Sequence, residues 1–126
     1  MKKLIVILLI SILFINEFSR FLTLEDAVNL IHKNDGLCFL AHVYQYNVEN
    51  HIDFLNDVLR CVKLDGLEVY HSSFSESQII EISSYADAHN LYKSGGSDFH
   101  GDYAKNRVLG CRTSPQESVE YIIRNI

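Results

Sequence analysis

Asp98 and His100 stand two apart inside a glycine frame, Gly95-Gly96-Ser97-Asp98-Phe99-His100-Gly101. In extended backbone, residues two apart point to the same side, so a carboxylate and an imidazole at this spacing can converge on one cation. The glycines permit sharp turns and close backbone approach where a strand opens into a site. Alone, the pattern describes a polar loop as readily as half of a metal pocket. Two earlier runs share its context. Gly36-Leu37-Cys38-Phe39-Leu40-Ala41-His42 is apolar and ends in histidine, and Gly66-Leu67-Glu68-Val69-Tyr70-His71 ends in Tyr-His with a glutamate inside. Leu91-Tyr92-Lys93-Ser94 leads into the glycine frame as a third run.

Helix-patterned segments separate these runs, and strands alternating with helices form parallel β-α-β units whose strand C-termini share one edge. His42, Glu68, His71, Asp98 and His100 are therefore expected to gather at that edge, where chemistry sits in open and closed parallel sheets alike. The first helix is expected over Thr23 to Asn34, with Thr23 as N-cap and Leu24, Ala27, Val28 and Ile31 on its inner face. A second covers Asn47 to Val62, carrying Val48, Ile52, Leu55, Leu59 and Val62 at helical spacing. The third, Ser75 to His89, opens with Ser75 and Gln78 in capping-box positions and presents Ile79, Ile82 and Ala86 inward. The last follows Ser114, with Pro115 in its first turn, and is expected to bury Val119, Ile122 and Ile123. Val108-Leu109-Gly110 reads as a short fourth strand.

The chain has 126 residues, enough for about one domain, whereas a complete eight-stranded β/α barrel takes about 200 or more. Its net charge of −5 excludes a broad basic face for nucleic acid, though an acidic balance suits a pocket that collects cations. The three cysteines, Cys38, Cys61 and Cys111, lack Cys-x-x-Cys spacing and read as buried free thiols, which suits a reducing compartment. Met1-Lys2-Lys3 and the aliphatic run Leu4 to Ile15 pull the other way. Residues 1–18 have the charged start and apolar middle of an export signal or anchor without a small-x-small cleavage site. An uncleaved membrane anchor, a signal sequence, and a buried hydrophobic segment of a chain whose true beginning is absent all fit. His32, His51 and His89 sit beside polar neighbours or at a helix end and are assigned no chemistry. Tyr44, Tyr46, Tyr70, Tyr92 and Tyr103 near the strand ends read chiefly as packing.

Taken in order and spacing, the runs ending Leu40-Ala41-His42, Gly66-Leu67-Glu68-Val69-Tyr70-His71 and Gly95-Gly96-Ser97-Asp98-Phe99-His100-Gly101 resemble the C-terminal motifs of the PHP (polymerase and histidinol phosphatase) family. The resemblance covers roughly Thr23 to Gly110. It implies an α/β fold, part of a distorted β/α barrel of parallel strands alternating with helices, with metal ions at the strand C-termini. It also implies a metal-dependent phosphoesterase acting on nucleotide or oligonucleotide phosphoesters, and a cytoplasmic setting. By matching positions, His42, Asp98 and His100 become metal ligands and Glu68 and His71 supporting residues. Mixed nitrogen and oxygen donors without thiolate suit divalent zinc, manganese or iron. Lys105 and Arg107, just after the Asp-x-His, are either phosphate contacts or a solvated basic loop.

Two departures shape the expectation. The chain has no His-x-His anywhere, whereas the family's first strand carries one, and Val43 replaces the usual proline after the late histidine. The expected organisation is therefore a hydrophobic segment over residues 1–18 followed, over 19–126, by the C-terminal part of a PHP domain. As an enzyme it would be incomplete. The alternative is a non-catalytic product: a membrane-attached metal-binding remnant, or a subunit that needs an N-terminal partner for its remaining ligands.

Overall fold

The computed structural model describes residues 22–101 and 107–125, so the segment 1–18, Lys105 and Tyr103 lie outside the described residues. Thr23 begins the described helices: its hydroxyl oxygen accepts the Asp26 N–H at 3.1 Å and caps α1, Leu24–Lys33. Acidic residues in the first turn and His32 and Lys33 in the last complement the helix dipole. The helix α3, Glu76–Ala88, starts with the expected reciprocal box. Ser75 Oγ accepts the Gln78 N–H at 3.3 Å and Gln78 Oε1 accepts the Ser75 N–H at 2.9 Å. Such a cap contributes about 1 kcal/mol.

Three strands alternate with these helices, β1 at Phe39–Leu40, β2 at Gly66–His71 and β3 at Tyr92–Gly96. They pair in parallel in the order β1-β2-β3, with α2, His51–Cys61, and α3 as crossovers. The expected α/β alternation is thus the observed one, as an open three-stranded sheet among the described residues. Because side chains alternate along a strand, the sheet has two characters. Leu40, Leu67 and Val69 face the helices and pack with Val28, Ile31, Leu55, Val58, Ile79, Ile82 and Ala86 in the buried core. Each large aliphatic side chain removed from water there stabilises the fold by about 1.5–3 kcal/mol. On the opposite face Phe39, Glu68 and Ser94 line a cleft.

Four local expectations are corrected. The second helix begins at His51, because the Asn50 side chain accepts the N–H groups of Ile52 and Asp53 and acts as its cap; Val43–Gln45 forms a separate 3-10 turn and Val48 lies outside both. Residues 108–110 form a turn rather than a strand, closed by the Cys111 N–H on Val108 O, with Val108 and Leu109 exposed. The β3 edge that such a strand would need is already covered. Lys93 N–H donates to Ser118 Oγ at 3.1 Å and Gly95 N–H to Ser114 Oγ at 3.0 Å, so α4, Gln116–Asn125, and the residues before it shield that edge.

This docking also rotates α4 from its expected pose. Ser118 is buried and Tyr121 stacks on Tyr92 with centroids 3.6 Å apart, while Val119 and Ile123, expected inside, are exposed. Cys61 and Cys111 are exposed as well, and only Cys38 is buried. Burial, with the nearby Asp65 charge adding to it, pushes the Cys38 thiol up to about 11. A thiol-specific reagent at pH 8 will therefore label Cys61 and Cys111 promptly and Cys38 only after denaturation. Rapid labelling of all three in the native chain would contradict this burial. Among the described residues no helix is long and apolar enough to cross a membrane.

Candidate metal and phosphate site

The C-terminal ends of the strands bring most of the marked residues to one cleft of about 340 Å³, whose lining includes His42, Glu68, Gly96 and Asp98. His42 follows β1 and turns into the left-handed region, φ 34°. Its N–H donates to Glu68 Oε2 at 2.7 Å, so the glutamate of β2 holds the backbone of the histidine after β1. Asp98, two residues beyond β3, is also left-handed, φ 48°. Non-glycine residues in this region cost about 1–2 kcal/mol each and are over-represented at functional sites.

His71 ends β2 and is fully buried between the two. Its ring centroid lies 6.0 Å from that of His42, and Nε2 lies 3.4 Å from Asp98 Oδ2. Nδ1 accepts the Ser73 backbone N–H at 3.1 Å, which assigns the ring proton of the neutral form to Nε2, toward Asp98. Burial pushes the His71 pKa down against the raising effect of Glu68, and the charges of Arg107 and His42 push it further down. His71 thus stands beside the Asp98 carboxylate with its charged form disfavoured by burial.

The positive charge facing Asp98 comes from Arg107. Its Nη1 contacts Asp98 Oδ2 directly and also donates to Asp98 O at 3.0 Å. His100 follows a different course from the other marked residues: its side chain is 60% exposed, and Nδ1 donates to Asp98 O at 2.6 Å. That bond leaves the Nε2 lone pair outward, the tautomer a ligating imidazole needs. The structure therefore brings His42, Glu68, His71 and Asp98 together and sets His100 at the rim.

Two further buried hydroxyls stand out, that of Tyr46, read from the sequence as packing, and that of Ser72, unmarked in the sequence. Tyr46, 5.8 Å from His42 between ring centroids, and Ser72 each bury a hydroxyl without a hydrogen-bond partner, as His42 buries Nδ1. Burial and the Glu68 charge raise the Tyr46 pKa. By contrast, His32 bonds Asp65 at 2.9 Å, His51 the Tyr46 carbonyl and His89 the Tyr85 carbonyl, all within the fold.

A divalent cation suits these donors in kind. The unpartnered His42 Nδ1, the Asp98 carboxylate and the free His100 Nε2 are the nitrogen and oxygen groups such ions take. As they stand, with Asp98 engaged by Arg107 and His100 at the rim, no three His, Cys, Asp or Glu side chains among the described residues form a ready cage.

No family model matches the chain. It is 34% identical over 89 residues to a 3′,5′-nucleoside bisphosphate phosphatase of Chromobacterium violaceum, covering 70% of this chain and 31% of the relative. It is 31% identical over 88 residues to a phosphoribosyl 1,2-cyclic phosphate 1,2-diphosphodiesterase of Eggerthella lenta, covering 70% and 32%. A solved structure from Bifidobacterium adolescentis, assigned as a metal-dependent phosphoesterase, superposes with a TM-score of 0.64 at 26% identity over 80% of this chain and 36% of that one. The chain spans about a third of the length of these relatives. Fold and sequence together define the segment as phosphoesterase-like, matching part of a β/α barrel protein. The homology is partial, and the family it joins this chain to is the PHP phosphoesterases.

Proposed function

We propose that this chain carries the late portion of a divalent-metal phosphoesterase site acting on phosphate esters of a ribose or nucleotide. The observation that carries the reading is a coincidence of place. A chain that shares 70% of its length with a nucleotide phosphatase and with a phosphoribosyl diphosphodiesterase also sets His42 and Asp98 at its strand ends on one cleft, with His42 Nδ1 unpartnered. His42, Asp98 and His100 are the residues to hold the ion, and their nitrogen and oxygen donors suit divalent zinc, manganese or iron. Such an ion supplies positive charge for phosphoryl oxygens and acidifies water near neutral pH.

The chain's own residues do the positioning. Glu68 fixes the His42 backbone, and the buried His71 ring backs the Asp98 carboxylate at 3.4 Å. Arg107 offers a planar fork of donors matched to phosphate oxygens. Lys105 keeps the same assignment from its place in sequence alone.

Purified chain supplied with Mn2+, Zn2+ or Fe2+ is expected to hydrolyse a nitrophenyl phosphoester and a 3′,5′-nucleoside bisphosphate. His42→Ala and Asp98→Asn should each abolish turnover, and wild-type activity in either variant would refute the assignment. The second reading, a metal-binding subunit whose other ligands come from a partner chain, is favoured by the lack of any His-x-His in the 126 residues. Metal uptake that depends on Asp98 without any turnover would establish it in place of the first.

A further inference from the structure

We propose that Arg107 is a displaceable counterion: it neutralises Asp98 while no metal is bound, and moves to the phosphate when a divalent ion takes the carboxylate. This rests on the reading of Asp98 as a metal ligand. Its consequence is that metal and phosphate bind with positive coupling through a single side chain.

The geometry supports it at three points. First, Arg107 Nη1 contacts both the carboxylate and the carbonyl of Asp98, so the guanidinium lies on the very atom group an incoming ion requires. Second, neither neighbouring imidazole replaces it. His71 Nε2 stands off at 3.4 Å from Asp98 Oδ2 with no hydrogen bond to it, and His100 Nδ1 donates to the Asp98 carbonyl rather than to the carboxylate. Third, the Arg107 side chain is 27% exposed and stands beside the cleft, so it can leave Asp98 without first being extracted from the core. Two cations on one partly buried carboxylate repel each other, which makes ion and guanidinium competitors. Once released, an arginine beside a bound divalent ion faces the charge and planar oxygen geometry it is best suited to pair with, that of a phosphoryl group. No bond is made or broken in this exchange.

The competition is read by calorimetric titration of Mn2+ into the whole chain, with and without inorganic phosphate. For the wild type, phosphate should tighten Mn2+ binding by about tenfold, within the usual range of linked sites. Arg107→Gln should bind Mn2+ alone about tenfold more tightly than the wild type and lose the phosphate effect. Arg107→Lys keeps a cation but lacks the fork; it should keep weak Mn2+ binding and show a reduced phosphate effect. Circular dichroism checks the fold of both variants, and if the glutamine variant fails to fold, the lysine variant decides through the phosphate arm.

Mn2+ binding to Arg107→Gln no tighter than to the wild type, or a phosphate effect of undiminished size in both variants, overturns the exchange. An Asp98→Asn chain tests the underlying assignment separately. If Mn2+ binds the wild type and Asp98→Asn equally, or binds neither the wild type nor Arg107→Gln, Asp98 is not a ligand and both readings fall.

Discussion

Alanine at position 66 is expected to lower the melting temperature by about 10 °C, a larger effect than any surface change to this chain should give. Gly66 is the residue at which all three strands meet, paired with Phe39 of β1 on one side and Tyr92 of β3 on the other. A Cβ there would fall inside contact distance of the Phe39 ring and of the Tyr92 carbonyl oxygen. The ring could rotate, but the carbonyl belongs to the parallel ladder and cannot shift without opening β2 from β3. Overpacking of this kind costs about 1–3 kcal/mol, and contact with backbone places it at the upper end. At this length, 1 kcal/mol corresponds to about 3–5 °C.

Gly96→Ala is the matched control, since its Cβ would meet only Glu68 Oε1 at 3.4 Å. It should melt within about 2 °C of the wild type. Thermal melts followed by circular dichroism compare the two. Equal melting of Gly66→Ala and wild type would mean that the close approach of the strands at this residue is relaxed in solution.

Gly66 also shows what kind of information the sequence carried. The run Gly66 to His71 coincides with β2 because its alternation, its leading glycine and the capped helix after it all agree. The same holds for α3, whose Ser75 and Gln78 are local signals and whose inner stripe is buried as expected. Signals that depend on neighbours distant in sequence fared worse. Periodicity told that α4 is amphipathic but not which stripe would dock, and the serines that bond the β3 edge turned Val119 and Ile123 outward.

The site divides the same way. His42, Glu68, His71 and Asp98 could be placed together because parallel topology alone puts strand C-termini on one edge. The hold of Arg107 on Asp98 joins residues nine apart in sequence and has no periodic signature, nor has the unpartnered hydroxyl of Tyr46. The glycines framing Asp98 pointed to a bend, and Gly101 does take a positive φ, but so do the aspartate itself and His42, which no glycine signal marked.

His71→Leu is expected to destabilise the fold by about 2–3 kcal/mol although leucine is more apolar and of similar bulk. The imidazole is wholly buried, so the comparison turns on its partners rather than on its own transfer from water. Leucine leaves the Ser73 N–H and hydroxyl without their shared acceptor and takes away the ring that stands 3.4 Å from the Asp98 carboxylate. Removing the buried member of a part-buried hydrogen-bonded group strands the others, which costs more than removing all of them. A melt about 8–12 °C below the wild type is the corresponding readout. Metal binding separates this structural role from positioning. If His71 also aims the Asp98 carboxylate, Mn2+ affinity at a temperature where both chains are folded should fall about 10-fold, as when a partner of a metal ligand is removed, and less than in Asp98→Asn. Wild-type affinity in a folded His71→Leu chain would confine this histidine to the core, and wild-type stability would mean that Ser73 and Asp98 find other partners when the ring is gone.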